Sequence, residues 1–147
     1  MAFRPHLHVM SQFSSTPIQA VAIDRFYSDG RGPELQRIVW GERGLGMRAI
    51  EYFNLDDAYD DAHLKHVRIV RPQVVMITPE EVIDYGSYAA AFGAHRPAAA
   101  LDHGHSDWLR SFNQYHLSKC RHFQLLFYDE LFDIICEGLE FCEGPAA

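Results

Sequence analysis

The sequence has no apolar run approaching the ~20 residues that a membrane-spanning helix requires. Its start, Met1-Ala2-Phe3-Arg4-Pro5-His6, carries no hydrophobic segment followed by a small-residue cleavage site, so no secretory signal is expected. Cysteine is scarce: Cys120, Cys136 and Cys142 are all that 147 residues contain. An odd, sparse set predicts reduced thiols in a cytoplasmic protein and not a disulfide framework. Basic residues are outnumbered, 13 Lys and Arg against 20 Asp and Glu, for a net charge of −7. The electrostatic footprint of a nucleic-acid binder is therefore missing. The acidic balance suits solubility, or a basic protein partner. A Gly-x-Ser-x-Gly elbow, a Gly-Lys-Ser/Thr phosphate loop, internal repeats and domain linkers are missing as well.

Apolar residues, by contrast, are plentiful. A hydrophobic share of 48% with 13% aromatics suits a packed core and excludes disorder. The length, 147 residues, predicts one domain over 1–147. Nine histidines are many for this length, and protonating them all would reverse the sign of the net charge. Exposed histidines titrating independently are the simpler expectation.

Strand-favouring residues fill 18–27, 35–40 and 47–55, separated by the breakers Ser28-Asp29-Gly30-Arg31-Gly32-Pro33 and by Gly41, Gly44 and Gly46. The glycines predict a flexible hairpin connection. Residues 56–66 are polar and predict a loop or one helical turn. Another strand-like stretch, 67–77, is interrupted by Pro72, which predicts a bulge, an edge position or a break. Thr78-Pro79-Glu80-Glu81 has the form of a capping box and predicts a short helix. Ser106 or Asp107 is placed to cap a second one, with Trp108, Leu109, Phe112 and His116 along one stripe.

The segment 122–141 is the most informative. Folded back about Asp129-Glu130, it sets Phe123, Leu125 and Phe127 opposite Cys136, Ile134 and Phe132 on one apolar face. His122 then faces Glu137, and Cys120 nears Cys142 at the open end. The other face carries Leu126, Tyr128, Ile135 and Leu139, which predicts a covering helix or a second subunit. A helical stripe through Leu131, Phe132, Ile135, Cys136 and Leu139 competes with this hairpin. The fold expected is α+β: a mainly antiparallel β-sheet with one or two short helices and a C-terminal β-hairpin.

Two clusters carry chemical potential. In Asp102-His103-Gly104-His105-Ser106-Asp107, His103, His105 and Asp107 are suitable ligands for a divalent transition metal, with His116 or His122 as a further ligand. The spacing resembles the metal motif of metallo-β-lactamase-type hydrolases, although Trp108 stands where those enzymes have a histidine. The resemblance implies a small metal-dependent hydrolase. Asp56, Asp57, Asp60 and Asp61, with His63 and His66 nearby, predict a solvated turn or an oxygen-rich cation loop.

The function expected is that of a cytoplasmic, non-catalytic interaction domain without a resident cofactor, acting as a homodimer or on a protein partner and on neither nucleic acid nor membrane. The metal-dependent hydrolase is the alternative. A ligand cup lined by Trp40, Tyr52, Phe53 and Trp108 is the third.

Overall fold

The computed structural model describes residues 18–27, 32–42, 46–82 and 99–147. Nine strands occur among them: β1 Gln19–Ala20, β2 Glu34–Trp40, β3 Met47–Phe53, β4 Lys65–Val70, β5 Val74–Pro79, β6 Ala100–Gly104, β7 Arg121–Leu126, β8 Glu130–Cys136 and β9 Gly138–Glu143. They form two antiparallel sheets, one of order β1-β6-β7-β8-β5 and one of order β2-β3-β4-β9. The expected antiparallel sheet is present, but with a single four-residue α-helix, α1 Asp107–Arg110, among the described residues the class is mainly β with little helix and not α+β.

The core lies between the sheets, as two half-apolar sheets require. Ile50, Tyr52, Val67 and Ile69 from one sheet meet Phe123, Leu125, Phe132 and Ile134 from the other. Phe26 fills the centre, edge-on to Tyr52 at 4.9 Å and to Phe127 at 5.2 Å. That burial explains why 18–27 is not one strand. After Ala20 the chain turns at Ala22, with φ of 50°, and the turn delivers Phe26 to the core. Tyr52 Oη and Asn54 Nδ2 both donate to the Arg25 carbonyl, each at 2.9 Å, and so secure the turn.

The predicted hairpin forms as β7 and β8, with its face sorting preserved but its register displaced. Phe123 pairs with Ile134 and Leu125 with Phe132, two residues away from the expected partners. The turn centres on Tyr128-Asp129, where Phe127 N–H donates to Glu130 O at 2.8 Å. A displacement by two keeps every side chain on its own face, so hydrophobic sorting cannot choose between the registers. His122 accordingly lies opposite Ile135, not Glu137.

Strand pairing also stops short of 141. Beyond Glu137 the chain leaves for the second sheet, where β9 pairs with β4, and Cys142 lies opposite His66 rather than near Cys120. The partner strand crosses at the same level. Pro72 separates β4 from β5, Arg71 has a φ of 51°, and Glu137 N–H donates to Val70 O at 2.8 Å. Of the three roles anticipated for Pro72, the break is the one adopted.

The first predicted helix is replaced by strand. Thr78 pairs with Leu131 and Pro79 with Glu130, so only a 3-10 turn, Glu80–Val82, follows. Cross-strand burial of β5 outweighs the local capping signal. Whatever that helix was expected to include beyond residue 82 lies outside the described residues. The second prediction survives as α1, capped by Ser106, with Leu109 buried but Phe112 and His116 exposed.

Candidate functional site

The outward face of the five-stranded sheet is closed and polar at its centre. His103, Ser106, His122, Gln124 and Asp133 are all at 0% exposure. Alternation puts His122 and Gln124 of β7 on the face opposite Phe123 and Leu125, and Asp133 of β8 beside them. His103 reaches the same face from β6, where the ladder is irregular and Gly104 takes a φ of 61°.

These side chains form two linked groups. His103 Nε2 meets Gln124 Oε1, and its ring stacks on His122 with centroids 4.6 Å apart. His122 Nδ1 lies 2.9 Å from Ser106 Oγ and its Nε2 2.7 Å from Asp133 Oδ1. In the proton order that opposes no two lone pairs, Nε2–H donates to Asp133 and the Ser106 hydroxyl donates to Nδ1. Burial, reinforced by the neighbouring His122, depresses the pKa of His103 from 6.5 to about 4. Among the described residues Asp133 Oδ2 meets no donor.

Ser106, His122 and Asp133 thus form a Ser–His–Asp chain with the ring nitrogens exchanged relative to a serine-hydrolase triad, in which the serine meets Nε2 and the aspartate Nδ1. A nucleophile must also be reached by its substrate. Here the Ser106 oxygen is sealed and accepts the Leu109 N–H at 3.2 Å as the cap of α1. Trp108 packs against His122 at a tilt of 59°, with ring centroids 4.8 Å apart. The arrangement is a buried strut joining β7, β8 and α1.

The residues singled out for metal binding are spread over different environments. His103 is buried in this strut, His105 is exposed, and exposed Asp107 pairs with Arg110 at 2.5 Å. His116 is exposed, and His122 is engaged by Ser106 and Asp133. Among the described residues no three His, Cys, Asp or Glu side chains gather as a metal group would need. In the acidic loop, Asp57 accepts from Asn54 N–H at 2.8 Å and Lys65 Nζ at 2.6 Å, and Asp60 binds the His63 ring at 2.6 Å. The four aromatic residues considered for a cup are dispersed: Tyr52 is in the core, Phe53 stacks on Tyr59, Trp40 is exposed and Trp108 covers His122.

The second notable feature is a sheet edge. The four-stranded sheet ends in β2, which has two register irregularities and carries Glu34 and Arg37, and in β9, which carries Glu140 and Glu143. Arg25 Nη1 also donates to Phe141 O on β9 at 2.7 Å. In the other sheet β1 spans two residues, whereas β5, Val-Val-Met-Ile-Thr-Pro, spans six without a charge. Met76 and Ile77 are 36% and 43% exposed. Among the described residues no strand pairs with the outer edge of β5. The sequence carried a signal for this edge, the uncharged run between Arg71 and Glu80, but strands that lie inside a sheet have the same composition.

No protein-family model matches the chain, and neither curated proteins nor solved structures give a match. Among the described residues no helix is long and apolar enough to cross a membrane.

Proposed function

We propose that the chain is a cytoplasmic, non-catalytic interaction domain that receives an extended chain segment along β5. The observation that carries this reading is the β5 edge: six residues, no charge, and two exposed apolar side chains. Folded proteins ordinarily blunt such edges with charge, bulges or brevity, as β2, β9 and β1 do here. An edge kept flat and apolar is a template for strand addition, in which backbone hydrogen bonds supply affinity and alternate side chains supply selectivity.

The free edge is also chemically prepared. Glu80 N–H donates to Asp129 O, and Thr78 lies opposite Leu131. Antiparallel ladders alternate, so Val74, Met76 and Thr78 turn their backbone groups towards β8 while Val75 and Ile77 turn theirs outward. Pro79, which has no N–H, falls on the outward-facing set, where its missing donor leaves the β8 ladder intact. Three free cysteines support the reducing compartment. The sealed Ser106 hydroxyl supports a role without catalysis.

Panning a displayed peptide library against the wild-type chain and a Met76→Lys variant tests the reading. Enrichment of β-branched peptides on the wild type alone, panned at a dilution where the chain is monomeric, is the expected result. Equal recovery on both proteins would overturn it, as would recovery on neither together with a monomeric wild-type chain.

A further inference from the structure

Resting on that reading, we infer that the segment received by β5 is the β5 strand of a second copy, paired antiparallel about a two-fold axis at Met76. An edge strand meets its own copy antiparallel when a two-fold axis stands perpendicular to the sheet, and residues facing each other then share a face. The axis must therefore pass through a self-paired residue. Backbone groups of Val75 and Ile77 point outward, so an axis at Met76 sets Val75 against Ile77 of the second copy, and Ile77 against its Val75. Met76 becomes the non-hydrogen-bonded position between these pairs, where opposing side chains approach most closely. Its 36% exposure and unbranched shape suit that contact.

Charge at the ends of β5 selects this occupant. The run from 72 to 79 is uncharged, with exposed Arg71 before it and Glu80 and exposed Glu81 after it. Antiparallel self-pairing brings the start of one strand to the end of the other. The Met76-centred register brings the Arg71 end of each strand towards the Glu80–Glu81 end of the other, twice over, and Arg71, which lies 3.6 Å from Glu137 across an exposed pair, adds its charge there. A parallel arrangement would align like with like, Arg71 on Arg71 and Glu81 on Glu81. The five-stranded sheets of the two copies then run on as one, which satisfies the outward N–H and C=O groups that no described strand of a single copy pairs.

Sedimentation equilibrium on the full chain tests this, with light scattering as a check. The wild type is expected at twice its 16.9 kDa mass at tens of micromolar. Met76→Lys sets two ammonium groups face to face on the axis and is expected to give a monomer with an unchanged circular dichroism spectrum. Arg71→Glu gives up an exposed 3.6 Å pair with Glu137, a contact that adds little to folding, and is expected to weaken association about tenfold. Adding Glu81→Arg to it is expected to restore most of that loss, because the opposed pairs are then merely exchanged. A monomeric wild type, a dimeric Met76→Lys, or a double variant as weak as the single one would each overturn the proposal. A monomer whose edge still selects peptides in panning removes the second copy as occupant but leaves the interaction domain standing. A monomer selecting none removes both.

Discussion

His103 makes the chain acid-sensitive in a way that can be isolated. Its imidazole is fully buried against Gln124 and His122, and burial pushes its pKa from 6.5 down to about 4. In the unfolded chain the same ring protonates near 6.5, so the unfolded state takes up the proton first as pH falls. Stability from neutral His103 is therefore fully present above pH 6.5, declines below it, and levels off below about 4. The gap between the two values amounts to about 3 kcal/mol, with about 2 kcal/mol already lost at about pH 5. Urea unfolding at a series of pH values, on the wild type and on His103→Gln, measures this contribution. Glutamine keeps a donor for Gln124 but does not titrate, and titrations of groups not in contact with His103 are common to both proteins and cancel. The wild type is expected to lose about 3 kcal/mol more than the variant between about pH 7 and 4. The His103 ring proton followed by NMR reports the midpoint directly. Parallel stability curves, or a midpoint near 6.5, would refute the burial argument.

Ser106→Ala is expected to cost about 2 kcal/mol, through loss of the α1 cap and of the donor to buried His122 Nδ1, and the wild-type serine to resist a fluorophosphonate probe; rapid labelling would show that the hydroxyl is reachable after all. Gly32→Ala is expected to destabilise by more than about 1 kcal/mol, since φ is +73° and an added Cβ lies 2.6 Å from Leu126 O; a neutral result in thermal unfolding would contradict that close approach. Of the three thiols only half-exposed Cys142 is expected to react promptly with a disulfide reagent near neutral pH. Burial raises the pKa of Cys120 and takes that of Cys136 to about 12, so a second fast-reacting equivalent would count against the packing around them.

Strand positions for β2, β3 and the β7–β8 hairpin were legible because alternation of apolar and polar residues is a local property. The α1 cap at Ser106 was legible for the same reason. The capping box at Thr78 was equally well formed and yet misleading, since pairing with β8 outbid it once Leu131 and Glu130 were alongside. The Ser106–His122–Asp133 link was hidden for a different reason. It depends on a hairpin register that differs by two from the one inferred, and both registers sort the apolar residues identically.

The amino-acid order alone established antiparallel sheet with one continuous apolar face and an irregularity at Pro72, leaving bulge, edge and break open. Those properties follow from residue type and spacing along a short stretch of backbone. Only the tertiary structure decided that β8 and β9 belong to different sheets, that His103 and His122 are sealed from solvent, and that β5 is an edge. Each of these depends on which distant segment lies alongside, and a two-residue periodicity states that a face will be covered without saying by what.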